Sequence, residues 1–250
     1  MRFQLLRFTL VDSTNDLALQ AAETGAEDGL VVWALQQTKG RGQKNRTWES
    51  QPSCSLTFSV LCRPNQEEQT VLGRFTALGA LAVARAVKVK TGLDAQVKWP
   101  NDVLLNGKKI CGVLAETDLQ AERAGAVVVG VGVNLLPGAF GADTAMNYPA
   151  SDVFSETGVS LDAETFLWTI LEAMQELRGY LPGDAFTQEW NERLAFKGEV
   201  RRIKNHKGET GWFRLLGISI DGSLRVEDAD GHEFCLQSAE VLPSSSSSSG

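Results

Sequence analysis

Lys98-Trp99-Pro100-Asn101-Asp102-Val103-Leu104-Leu105-Asn106-Gly107-Lys108-Lys109-Ile110-Cys111-Gly112 reads as two strands about one tight turn. Asn106-Gly107 is the strongest short-range hairpin signal, because both residues tolerate the positive φ of a two-residue turn. Strands are expected over 97–105 and 108–116. With the turn at 106–107, Leu105 pairs with Lys108, Leu104 with Lys109, and Asp102 with Cys111. Alternation then places Asp102, Leu104, Lys109 and Cys111 on one face and Val103, Leu105, Lys108 and Ile110 on the other. Asp102 and Lys109 become diagonal neighbours within reach of a long side chain. Two readings fit that face: a ligand-binding carboxylate and amine, or an ion pair on an exposed hairpin worth about 0–1 kcal/mol.

Working outward, residues 1–195 alternate strand-like and helix-like stretches. Strands are expected over 5–11, 30–35, 55–61 and 126–133. A helix starts at Asp12-Ser13-Thr14-Asn15-Asp16, shows Leu17, Ala18, Ala21 and Ala22 on one face, and closes at Gly25. A long helix is expected over 66–90, with Val71, Leu72, Phe75, Leu78, Leu81, Ala82 and Val87 inward and Gly92 just past its end. Phe166, Leu167, Ile170, Leu171, Met174 and Leu177 mark a second long helix. From 196 to 243 the pattern changes. Short strands cut by Lys207-Gly208, Asp221-Gly222 and Asp230-Gly231 suggest a small five-stranded barrel. Ser244 to Gly250 is low-complexity tail and carries no fold information.

The chain has 250 residues, 43% of them hydrophobic and 22% charged, within the range of globular domains. No apolar run reaches the roughly 18–20 residues of a membrane span, and the N-terminus has no signal-peptide pattern. Twenty-four cations against 31 acids give a net charge of −7, which disfavours non-specific binding of nucleic acid. The 196–243 segment holds seven cations and eight acids and is no basic module. Cys54, Cys62, Cys111 and Cys235 form no C-x-x-C pair, and His206 and His232 are the only histidines. Free thiols in a reducing cytoplasm are expected, without a zinc site.

Against that acidic background, 39–46 (Lys39-Gly40-Arg41-Gly42-Gln43-Lys44-Asn45-Arg46) carries four cations and no acid, with Trp48 two residues on. Its glycines allow close backbone approach to an anion, and Arg recognises phosphate or carboxylate bidentately. A solvated basic loop is the other reading, and Walker-loop spacing is absent. Val129-Gly130-Val131-Gly132-Val133-Asn134 marks either ligand approach or a tightly packed core strand. Ser13 to Asp16 supplies either a helix N-cap or hydroxyls facing a pocket.

Taken together, DSTN at 12–15, QTKGRGQKNRTWES at 37–50, KWPNDVLLNGKKICGVLAE at 98–116 and VGVGVNL at 129–135 resemble biotin protein ligases, in order and spacing and over nearly the whole chain. The resemblance implies an α/β (α+β) fold. A mixed-sheet catalytic domain (1–195), similar to the class II aminoacyl-tRNA synthetase core, would precede an SH3-like barrel (196–243). It implies formation of biotinoyl-5′-AMP from biotin and Mg-ATP, then transfer of biotin to a lysine of a biotin carboxyl carrier domain. By position, Ser13, Thr14, Asn15 and Gln37 would hold the ureido ring. Gly40, Arg41 and Gly42 would cradle carboxylate and phosphate, with Gln43 and Gly112 also lining the biotin site. Lys109 would contact the biotin carboxylate and α-phosphate. Arg46 and Trp48 would serve the nucleotide, Asn134 the adenine, and Asp102 the Mg2+-phosphate region.

Two departures stand out. The helix-turn-helix of many family members has no room before DSTN at 12–15, so no DNA partner is expected. The family's frequent GRGR loop has Gln43 in its fourth position here. Rival readings are a lipoate or octanoate ligase or transferase of the same superfamily, a non-enzymatic biotin or nucleotide sensor, and an RNA-binding adaptor, the last disfavoured by the barrel's net charge. The carrier, the general base for lysine attack and the oligomeric state, a homodimer included, are left open by the sequence.

Overall fold

A computed structural model describes residues 1–120, 123–140, 148–205 and 207–243. His206 and the Ser244–Gly250 tail therefore lie outside the described residues.

Seven strands form one mixed sheet: β1 (Gln4–Val11), β2 (Leu30–Gln37), β3 (Ser55–Cys62), β4 (Gln96–Lys98), β5 (Asp102–Leu105), β6 (Lys108–Gln120) and β7 (Arg123–Asn134). Their order is β1-β2-β3-β7-β6-β5-β4. Only β1 and β2 run parallel; every other neighbouring pair is antiparallel.

The helices are α1 (Thr14–Glu23), α2 (Arg74–Thr91), α3 (Val153–Thr157), α4 (Ala163–Arg178) and α5 (Asp184–Arg193). One sheet face is sealed by α2 and α4. The expected apolar stripes of both helices join Leu56, Phe58 and Val60 of β3 and Val129, Val131 and Val133 of β7 in one core. On the opposite face α1 covers only one half. Ala18 and Ala22 pack on Val32, Leu61, Ala126 and Val128. The uncovered half presents Ser55, Thr57 and Ser59 of β3 beside Asn134, Gly132 and Gly130 of β7, which are their register partners. Helix α1 thus begins at the edge of this polar half, with Ser13 as its N-cap accepting from Asp16 N at 3.4 Å.

Three expectations are corrected. The long helix does not start at 66. Asn65 Oδ1 accepts from the N–H groups of Glu67 and Glu68, making a separate turn at Glu68–Val71, and α2 begins after Gly73. The 97–105 run is not one strand. Trp99-Pro100-Asn101 turns the chain back, so Lys98 lies opposite Asp102. Pro100 has no N–H for a ladder, which favours a break there. Finally, Asp102 pairs with Gly112 and Val103 with Cys111, whereas Leu104 still pairs with Lys109. A β-bulge at Ile110 inserts the extra residue. It sends both Ile110 and Cys111 into the core and turns Gly112 to the face of Lys109.

Residues beyond α5 form a five-stranded antiparallel sheet: β8 (Val200–Asn205), β9 (Thr210–Ile218), β10 (Leu224–Glu227), β11 (Glu233–Leu236) and β12 (Ala239–Val241), in the order β11-β10-β9-β8-β12. Ile203, Leu215, Ile218, Leu224 and Val241 join the main core. Polar clamps fix it as well. Arg74, fully buried, donates to Leu181 O at 2.6 Å and to Ile220 O. Trp99 Nε1 donates to Gly222 O at 3.0 Å. All four cysteines are free thiols, as expected. Among the described residues no helix is long and apolar enough to cross a membrane.

Candidate active site

The polar half of the sheet floors a cavity of about 410 Å³. Every residue that the resemblance assigns to biotin or the nucleotide borders it except Gly40. Gly40 acts from beneath: a Cβ there would lie 2.3 Å from Trp48 O and 2.8 Å from Gln37 Nε2.

Three positions along β7 order the cavity. At Gly130 a Cβ would lie 2.2 Å from Asn15 Oδ1. At Gly132 it would lie 2.2 Å from Trp48 Cε2. Next, Asn134 Nδ2 donates to Ser151 O at 3.0 Å. The glycines of this strand therefore make room for protein side chains. Trp48 stands midway between an Asn15 end and an Asn134 end.

The Asn15 end is a dense hydrogen-bond set. Gln37 Oε1 accepts from Thr14 N at 2.8 Å and from Thr14 Oγ1 at 3.0 Å. That commits the amide oxygen and leaves Nε2 as donor. Ser59 Oγ lies 2.6 Å from Asn15 Oδ1 and 2.7 Å from Thr14 Oγ1, and its single proton serves one of them. Asn15 Nδ2 donates to Glu116 at 2.6 Å. Arg41 also belongs to this end. Its guanidinium donates to Asp16 at 2.7 Å and to Glu116 at 3.0 Å. The Asp16 hydrogen bond, with Glu116 behind it, holds Arg41 above its usual pKa range. Arg41 is therefore a charged guanidinium tied to two carboxylates in this structure.

The opposite end is cationic. Asp102 is bracketed by two ammonium groups, Lys109 Nζ at 2.6 Å and Lys98 Nζ at 2.9 Å. Burial pushes the Asp102 carboxyl up, but Lys98 and Lys109 more than offset this and hold it below the usual carboxylate range. Lys98 also faces the Tyr148 ring at 5.3 Å, and Lys109 the Trp48 ring at 6.0 Å. The 41–47 loop closes on itself through an Arg41–Thr47 bridge and a Gly42 N–H donated to Arg46 O at 2.7 Å. From this loop Arg46 reaches Glu240 of β12 at 2.7 Å and Lys44 reaches it at 3.3 Å. Gln43 lines the cavity between them and Arg41.

The cavity wall is therefore cationic overall. Of the charged side chains bordering the cavity, the five cations Arg41, Lys44, Arg46, Lys98 and Lys109 outnumber the three acids Glu49, Asp102 and Glu240 by two. Arg41 is ion-paired with Asp16 and Glu116, neither of which borders this cavity.

Mg2+ was expected near Asp102. Both oxygens of Asp102 are engaged by ammonium groups. Mg2+ is usually held by one or two free carboxylates plus phosphates, so the donor set does not fit a protein-held ion. Among the described residues the one cluster with metal-ligand geometry is Asp228, Asp230 and His232, in the turn between β10 and β11.

Sequence reasoning did not assign Lys98, Glu116, Ser59, Tyr148 or Glu240. Lys98 had a signal, since a Pro two residues later implied the turn that folds it onto Asp102. The Ser55-Leu56-Thr57-Phe58-Ser59 alternation also marked a polar strand face. Glu240 had none.

A mixed sheet bearing a cavity that is polar at one end and cationic at the other is an arrangement suited to activating a carboxylic acid with a nucleotide. The biotin/lipoate A/B protein ligase family model matches residues 7–134. A biotin--[acetyl-CoA-carboxylase] ligase of Paracoccus denitrificans is 33% identical, over 92% of this chain and 97% of its own. A bifunctional ligase/repressor BirA of Bacillus spizizenii is 29% identical, over 89% of this chain and 69% of its own. The Aquifex aeolicus biotin protein ligase in complex with biotin and ATP superposes with a TM-score of 0.81 at 26% identity, covering 96% of this chain and 99% of that one. The chain belongs to the biotin/lipoate A/B protein ligase family.

Proposed function

We propose that this protein condenses biotin with ATP to biotinoyl-5′-AMP and pyrophosphate, then transfers biotin to a lysine of a biotin carboxyl carrier domain. The observation that carries this is one cavity lined both by the hydrogen-bonding set of Thr14, Asn15 and Gln37 and by the Lys98–Asp102–Lys109 cluster. A urea is neutral and needs both donors and acceptors, which the Ser13, Thr14 and Gln37 end supplies. Biotin carboxylate and ATP phosphates are anions, and the cations bordering the cavity outnumber its acids by two.

In the first step a carboxylate oxygen attacks the α-phosphorus and the bond to pyrophosphate breaks. Both reactants are negative, so fixed cations lower the barrier more than proton transfer would. Lys109 contacts the reacting carboxylate and α-phosphate. Asp102 holds its ammonium in place, and Lys98 keeps Asp102 ionised. Arg46, Trp48 and Asn134 serve the nucleotide. In the second step the carrier lysine attacks the acyl carbon and AMP leaves.

Residues 1–195 form the catalytic domain in this reading. Residues 196–243 form an SH3-like barrel that meets the loop through Glu240. The reading places the protein in the cytoplasm, beside its carrier.

The test is pyrophosphate release by the purified full chain with Mg-ATP and biotin, lipoate or octanoate, together with labelling of a carrier domain. Release with biotin and labelling of one carrier lysine are expected. Faster release with lipoate or octanoate assigns the chain to the other branch of the family, and binding without release makes it a sensor.

A further inference from the structure

Strand β3 turns three hydroxyl side chains to the polar half of the sheet, and two have partners. Ser55 Oγ donates to Gln51 O at 3.0 Å and accepts from Gln51 N at 2.9 Å. Ser59 Oγ is held by Asn15 and Thr14 as described. Thr57, between them, is 4% exposed and borders the cavity. Its Oγ1 has no hydrogen-bond partner among the described residues. An unpaired buried hydroxyl is costly, and one that borders a cavity is placed to donate to a ligand there. A second orphan flanks the same spot. Trp48 Nε1 is also unpartnered, and a Cβ on Gly132, the register partner of Thr57, would lie 2.6 Å from it.

We propose that the Thr57 hydroxyl is the protein's contact to the thioether sulfur of biotin, with Trp48 Nε1 beside it, and that it selects a sulfur-containing ring at this site. The inference rests on the biotin reading above. Same-face residues two apart on a strand are separated by about 6.6–6.8 Å. A urea held at Thr14 and Gln37 lies at the Ser59 level of β3. In biotin the sulfur lies on the side of the fused rings away from the urea carbonyl. One pleat along β3 from Ser59 is Thr57. A thioether is a weak acceptor with two lone pairs, so one O–H and one N–H match it in number and kind.

Calorimetric titration of the full chain, its Thr57→Val form and its Thr57→Ser form with biotin and with desthiobiotin tests this. Desthiobiotin keeps the urea and the acid but lacks sulfur. Valine keeps the branched shape without the hydroxyl; serine keeps the hydroxyl. Thr57→Val is expected to weaken biotin about fivefold and to leave desthiobiotin within about twofold. Thr57→Ser is expected to retain biotin affinity. An equal loss for both ligands in Thr57→Val, or none for biotin, overturns the sulfur contact while biotin binding by the unmodified chain stands. Failure of the unmodified chain to bind biotin overturns the functional reading itself.

Discussion

Trp48 occupies the space that a side chain at position 132 would need: a Cβ on Gly132 would lie 2.2 Å from Trp48 Cε2 and 2.4 Å from Cζ2. The indole is seated on bare backbone at Gly132. In the proposed reading its position sets where biotin and the nucleotide lie.

Gly132→Ala is accordingly expected to push Trp48 off the sheet with little effect on folding, because β7 stays in register. A displacement of about 1 Å near reacting groups costs on the order of a hundredfold in rate. Adenylate formation should fall by that order. Tryptophan fluorescence should change in the free protein. Normal turnover in Gly132→Ala would show that Trp48 does not position either ligand.

Lys109→Ala removes the cavity ammonium paired to Asp102 at 2.6 Å. Loss of one preorganised electrostatic contact costs about 10²–10³ in rate. Pyrophosphate exchange with biotin should fall by that factor. Arg41→Ala should act differently, because Arg41 is bound to Asp16 and Glu116, and Glu116 to Asn15 in the set proposed to hold the urea. It is expected to raise the KM for biotin more than that for ATP. Steady-state kinetics with each substrate varied separates the two.

Much of this site was legible in the sequence, and the illegible parts have physical causes. Core positions of α2 and α4 followed from helical spacing, because a buried stripe repeats whatever its partner is. The Asp102–Lys109 pair followed from the turn at Asn106-Gly107, since a two-residue loop fixes the first pairs. The bulge at Ile110 did not, because one inserted residue leaves Lys108 to Gly112 unchanged as text while reversing the faces of Cys111 and Gly112. The Arg41 environment was not legible for another reason. Asp16 and Glu116 are 25 and 75 residues away from it in sequence. Nothing local in the basic loop marks them. Glu240, met by Arg46 across 194 residues, is more remote still.

That contact bears on retention of the intermediate. Gln43 replaces the second arginine of the frequent GRGR pattern and forfeits a bidentate cation. Lys44 and Arg46 remain, tied to the C-terminal sheet through Glu240. Gln43→Arg is expected to change release of preformed biotinoyl-AMP by less than about tenfold, or roughly 1.4 kcal/mol. Arg46→Ala and Glu240→Gln should each speed it more, because both detach the loop. Slower release from Gln43→Arg with no change in Arg46→Ala would mean that the loop is not held by this contact.

Asp102 gives the pH dependence. Its carboxyl lies below the usual carboxylate range in the folded protein, because the attraction of Lys98 and Lys109 outweighs the cost of burial. The unfolded chain titrates it near the ordinary value of about 3.9. Between the two values the unfolded state binds the extra proton, so stability rises with pH there. The contribution is fully present above about pH 4–5 and is lost as pH falls through the folded value. Asp102→Asn removes it at every pH and leaves two ammonium groups facing each other without their anion. Breaking a buried pair this way costs about 3–5 kcal/mol. Urea unfolding of the two proteins at pH 7 and pH 3 checks the sign. The stability gap between native protein and Asp102→Asn should be large at pH 7 and narrower at pH 3. A gap that does not change with pH would place the effect in packing and leave the carboxylate charge without a role.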